Sequence, residues 1–268
     1  MQNTPIWQME FGEGPFVACA LHDGHDVCPE VAACLNLDEA QRLYEEDPYT
    51  AAWTSIAPTR IIARRSRFEL DLNRPRDKAV YITPADAWGL DVWKCQPAAE
   101  IMHHSLQVYD EFYAHLKLLL DRLVALHGEV VVFDLHSYNH VRQGAGGAPA
   151  DRDVNPEINL GTGTMARALW TPVVDCWLHA MREFDFLGRH LDVRENVKFL
   201  GGQLPRWIHE NFSNSVCVLA IEVKKFFMNE WTGELDTAQH QAIGNALAHA
   251  AAAIGDELVK VKSGPTVA

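Results

Sequence analysis

Residues 129–140 read EVVVFDLHSYNH. Val130 to Phe133 form an unbroken apolar run, followed directly by Asp134, Leu135, His136 and Ser137. Such a run suits a strand covered on both faces, as in a parallel or mixed sheet flanked by helices. Alternate side chains of a strand share a face, so Asp134 and His136 project together from its end. In open α/β sheets ligands gather beyond the carboxyl ends of the strands. This strand end is therefore where chemistry is expected.

Two further strands end the same way. PFVACALH (15–22) places a buried strand at 17–21 ending in His22, and VCVLAIEV (216–223) runs into Glu222. Between them, residues 97–127 carry an apolar stripe at helical spacing (Ile101, Val108, Phe112, Leu116, Leu119, Leu120, Leu123), with Gly128 as a natural stop. Helices are also expected over 36–47, 164–183 and 237–259, and one or two strands over 59–74. Strands alternating with long helices predict one α/β domain over 1–268, with a mostly parallel or mixed central sheet flanked by helices on both faces. Residues 137–163 are rich in Gly, Asp, Asn and Pro and read as a long loop, a form that usually serves an active site.

The composition narrows the function. The 268 residues are 48% hydrophobic and 22% charged, ordinary values for a globular protein, with a net charge of −13. That charge argues against nucleic acid or an anionic membrane as partner. No apolar run approaches the ~20 residues that span a bilayer, and the first residues lack the pattern of a signal peptide, so a cytoplasmic location is expected. Six scattered cysteines form no CxxC pair, which suits reduced core thiols. Cys28 follows a histidine-rich segment, but nothing beside it resembles an oxyanion loop. The stretch from Arg60 to Lys78 carries seven basic residues against three acidic ones. Most would form a solvated face, while one or two arginines could bind the carboxylate of a small anionic substrate.

Two histidines and a glutamate delivered by three strands are what a one-metal hydrolase needs: imidazoles hold Zn²⁺, and a carboxylate takes the proton of a water. HDGHD sets His22 and His25 three residues apart, a spacing that can put both rings on one ion. YEEDPYT offers Glu46 and Asp47 at a helix end. Asp134 could orient a ligand histidine from behind. His103, His104 and His127 are assigned to helix surfaces.

These segments resemble a family. LHSYNH is similar to the segment carrying the last zinc-binding histidine of zinc carboxypeptidases, DLNR (71–74) to their carboxylate-binding Asn-Arg pair, and AIEVKK to the segment of their catalytic glutamate. The whole pattern is closer to the N-formylglutamate amidohydrolases, which share that fold: His22-x-Gly24, SRFELDLNRPR, DLHS, FLGGQLP and IEVKK, over roughly residues 15 to 235. The resemblance implies one Zn²⁺ on His22 and His136, with Glu222 as general acid/base and Arg74, Asn73 and Arg67 as carboxylate binders. It leaves the remaining ligand to His25 or Asp47, with Glu46 behind them. The family arginine after the glutamate is Lys224 here. The implied activity is hydrolysis of N-formyl-L-glutamate, or a similar small N-acyl amide of an acidic amino acid. A carboxypeptidase or deacylase, and an inert binder of an acidic metabolite, are the competing readings.

Overall fold

Seven strands form one sheet: β1 (Trp7–Glu10), β2 (Phe16–Ala20), β3 (Thr59–Ala63), β4 (Val130–Tyr138), β5 (Ile158–Gly161), β6 (Val193–Glu195) and β7 (Val216–Lys224). The computed structural model describes residues 5–263, and side chains as far as Leu258. Strand order is β1-β3-β2-β4-β7-β5-β6. The central four, β3, β2, β4 and β7, are parallel. β1 closes one edge antiparallel to β3, and β5 turns antiparallel to β7 on the other side. The helices are α1 (Pro29–Cys34), α2 (Glu39–Glu45), α3 (Thr50–Trp53), α4 (Ala99–His127), α5 (Thr171–Glu183), α6 (Gln203–Phe212) and α7 (Thr237–Ser263). The sheet is mixed and helices cover both its faces, as expected. Among the described residues, no helix is long and apolar enough to cross a membrane.

Alternation along β4 explains the layers. Val131, Phe133 and Leu135 join the core under α5 and α7, while Val130 and Val132 join the core under α4 and α6. Asp134 and His136 continue the second set, so they emerge on the α4/α6 side. β7 obeys the same rule: Cys217, Leu219, Ile221 and Val223 face α5 and α7, and Glu222 faces the other way.

Several expected boundaries shift. Residues 137–163 are not one irregular loop, because β4 continues to Tyr138 and Ile158–Gly161 forms β5. Ile158 and Leu160 alternate with Asn159 and Gly161, but so short a run among Gly, Asp, Asn and Pro is a weak signal, and pairing with β7 makes it a strand. The helix expected from 164 starts at Thr171, with Pro172 in its first turn, the helix position that tolerates a missing N–H. The strand expected over 59–74 ends at Ala63, and DLNR lies in the turns beyond it.

α6 is pinned to the sheet by a buried histidine. His209 Nε2 accepts from the Val218 amide at 3.1 Å, and its Nδ1 lies 3.0 Å from the Thr164 hydroxyl. Burial pushes its pKa down to about 4, since a second proton would land on the nitrogen that accepts from Val218. An unfolded histidine titrates near 6.5, so the unfolded chain binds the extra proton across that interval. This contribution is complete above about pH 6.5 and falls away toward pH 4, amounting to roughly 3 kcal/mol. Denaturant unfolding of wild type and His209→Gln over this range is expected to show a shallower pH slope in the variant.

Candidate active site

The strand tips meet where the sequence places them. His136 and Glu222 are register partners on β4 and β7. His22 sits two residues beyond β2 and reaches the same point: its Nδ1 is 3.1 Å from Nδ1 of His136. Asp47 completes the group, its Oδ2 lying 3.2 Å from His22 Nδ1 and 3.0 Å from His136 Nδ1. All three side chains are buried.

Each imidazole is backed by a carboxylate. His22 Nε2 lies 2.8 Å from Asp71 Oδ1, and His136 Nε2 lies 3.0 Å from Asp134 Oδ1. Ionised carboxylates only accept, so the hydrogen-bond network assigns the Nε2 protons to these bonds. Both Nδ1 lone pairs then point at each other and at Asp47 Oδ2. Three acceptors this close repel unless positive charge lies among them. The charges nearby say the same. Burial disfavours the charged ring of His136, yet Asp134, Asp47 and Glu222 outweigh it and hold the pKa well above the usual imidazole value. Burial likewise opposes ionisation of Asp47, and the adjoining His136 and His22 rings reverse that and keep its pKa below the carboxylate range. Tetrahedral zinc with bonds of about 2.05 Å sets its ligands roughly 3.3 Å apart. The donor atoms stand close to that spacing, so the cluster fits a divalent cation with two nitrogens and one oxygen.

The other two candidates for this position are occupied elsewhere. Glu46 is fully buried, with its carboxylate bonded to the His25 ring and the Ser66 hydroxyl. His25 is thereby drawn out of the cluster. Asp47 is steered in by its own backbone, whose N–H donates to the His22 carbonyl at 2.8 Å. Buried Lys225 holds the same turn, donating to the carbonyls of Tyr44 and Glu46 at 2.8 and 2.7 Å.

Asn73 does something the motif does not reveal. Its Oδ1 accepts from the Leu204 amide at 2.8 Å and its carbonyl from Gln203 at 3.2 Å, so it caps α6. Its Nδ2 lies 3.2 Å from His136 Nε2. Gly202 is required at this junction, since a Cβ there would stand 2.5 Å from the Asn73 amide. Arg67 is also committed internally: it is buried against Asp71 at 2.7 Å, beneath the Trp88 ring at 4.8 Å. Arg74 is the freer guanidinium, partly exposed and only loosely paired with Asp71 at 3.9 Å. Lys224 bonds the Asn155 carbonyl and does not line the pocket, whereas Lys225 does. His103 and His104 are exposed on α4.

The cluster lies in a cavity of about 370 Å³, bordered by Glu222, Arg67, Arg74, Arg142 and Arg206. Glu222 faces it without accepting a hydrogen bond among the described residues. Burial pushes its carboxyl pKa up to about 8. A carboxyl in that range can take and return a proton near neutrality.

Sequence reasoning missed Asp71 as the support of His22. The signal was present, since Asp71 opens the DLNR motif. Asp134, named from its spacing, stands where a support of His136 is needed.

The architecture matches that of two solved structures. An N-formylglutamate amidohydrolase from Ralstonia eutropha superposes with a TM-score of 0.73 at 18% identity, covering 95% of this chain and 98% of that one. A gene product of Agrobacterium tumefaciens superposes with a TM-score of 0.63 at 17% identity, covering 96% of each chain. Among curated proteins, no significant match is found. The family model for N-formylglutamate amidohydrolase matches residues 14–228. The chain belongs to the N-formylglutamate amidohydrolase family.

Proposed function

We propose that this protein is a zinc-dependent amidohydrolase that converts N-formyl-L-glutamate to formate and L-glutamate. The observation that carries the reading is the convergence of His22, Asp47 and His136 beside an unpaired Glu222 in a basic pocket. Family membership narrows the bond to an amide. Zn²⁺ held by the three ligands supplies Lewis acidity and a water that ionises near neutral pH.

The chain's own residues do the rest. Glu222 takes the proton of the attacking water and returns it to the departing amide nitrogen. Asp71 and Asp134 hold the imidazoles by their Nε2 protons and keep both Nδ1 atoms on target. Arg74 anchors the α-carboxylate, so that attack occurs within a positioned complex. Asn73 holds the start of α6 and packs its amide beside the His136 ring. The cavity lies near the small end of binding sites, which span roughly 300–1,000 Å³, and this favours an amino-acid derivative over a peptide.

The test is formate release from N-formyl-L-glutamate by purified protein. Dialysis against a chelator is expected to abolish turnover, and Zn²⁺ to restore it. Release of C-terminal residues from peptides with no deformylation would replace this reading by a carboxypeptidase. A protein with no bound zinc, no zinc-dependent activity and unchanged stability on chelation would replace it by an inert binder.

A further inference from the structure

We infer that Arg206 recognises a second carboxylate, the one on the substrate's side chain, and so sets specificity for an acidic residue. The inference rests on the function proposed above and assigns a contact within it.

Among the described residues, five cationic side chains border the cavity: Arg67, Arg74, Arg142, Arg206 and Lys225. Arg67 donates to Asp71 and to the Glu45 carbonyl, and lies under Trp88. Arg142 grips the Glu45 carboxylate with both terminal nitrogens, at 2.9 and 3.1 Å. Lys225 is buried and gives two of its three N–H bonds to backbone carbonyls. Arg67 and Arg142 thus already have carboxylate partners, and Lys225 is held in place by the two carbonyls. Arg74 has only a distant one, at 3.9 Å. Arg206 lines the cavity from the first turns of α6, and its guanidinium has no hydrogen bond or ion pair among the described residues. A monoanionic substrate needs one free guanidinium. This cavity offers two, on separate segments of chain.

The α6 backbone does not compete for that role. The amides of Gln203 and Leu204 are already taken by Asn73, and position 205 is proline. An anion arriving here meets side chains, namely the Arg206 fork and the neighbouring Gln203 amide. A guanidinium matches a carboxylate with two parallel bonds, which a neutral side chain cannot return. The same Asn73 that holds α6 also touches His136. Asn73 therefore sits between the start of α6 and the His136 ring.

The experiment compares N-formyl-L-glutamate with N-formyl-L-glutamine in wild type, Arg206→Gln and Arg74→Gln. Arg206→Gln is expected to lower kcat/KM for the glutamate substrate by at least ~30-fold and for the glutamine substrate by less than about threefold. Arg74→Gln is expected to lower both alike. An equal loss on both substrates in Arg206→Gln would place this guanidinium at the α-carboxylate, and no loss on either would remove it from the site. Both results overturn the inference. Calorimetric binding of N-acetyl-L-glutamate and N-acetyl-L-glutamine reads the same contact without turnover. Wild type is expected to prefer the glutamate compound and Arg206→Gln to lose that preference, while a wild type without preference sinks the idea. Should deformylation fail in wild type while this preference holds, the function proposed above is wrong and the second anion site stands.

Discussion

Glu222→Gln is expected to fold normally, keep its metal and lose turnover by at least ~100-fold. Glutamine preserves the shape of the side chain but cannot accept a proton. The position tolerates the change structurally because the carboxylate accepts no hydrogen bond among the described residues, and its strand neighbours Ile221 and Val223 carry the packing. The pH profile carries a second signature. Burial holds this carboxyl at about 8, above the usual value for glutamic acid, and Glu222 acts as a base only once its proton has left. Activity should therefore rise with pH through its titration. A cation on His22, Asp47 and His136 favours the ionised form and moves this limb to lower pH. In Glu222→Gln the limb is expected to vanish from whatever activity remains. Near-normal turnover in the variant would take Glu222 out of the reaction.

The second large effect separates Asp47 from His25. Asp47→Asn is expected to weaken zinc binding by more than the ~10–100-fold typical of losing an outer partner. His25→Asn is expected to leave zinc stoichiometry and affinity within a few-fold of wild type. Competition with a chromophoric chelator, together with metal analysis of the purified proteins, reads both. The opposite ranking would mean that His25 swings inward and Asp47 does not bind. The structure gives His25 little reason to do so, since its ring is tied to Glu46, which Ser66 also holds. Asp134→Asn provides the intermediate case: it keeps a side-chain oxygen toward His136 while removing the charge that favours a cation. Its loss should fall within the outer-partner range.

Much of the fold was legible in the chain. The apolar runs before His22 and Glu222, and the one leading to His136, are long enough to announce buried strands, and the stripe of α4 is long enough to announce a helix. Short elements were silent. β5 and β6 have four and three residues, too few to stand out from the surrounding loop sequence, and exist because a neighbouring strand offers a free edge. α6 was passed over too, although its first turn carries Arg206 and its cap is Asn73. The DLNR segment was recognisable as a motif, but the partners of its members were not. Asn73 and Arg67 suggested carboxylate binders, and packing commits one to capping a helix and the other to a buried ion pair.

Read alone, the chain specified an α/β sheet, mostly parallel or mixed, and two imidazoles at its strand tips. Burial periodicity is a local property, written within a few consecutive residues. It did not settle which carboxylate joins those imidazoles. His22 meets Asp47 across 25 positions, Asp71 across 49 and His136 across 114. Contacts at such separations depend on where the backbone turns and which neighbours consume a side chain first. Glu46 and Asp47 are adjacent and chemically alike, and only packing against His25 and Ser66 turned one away and left the other facing the two histidines.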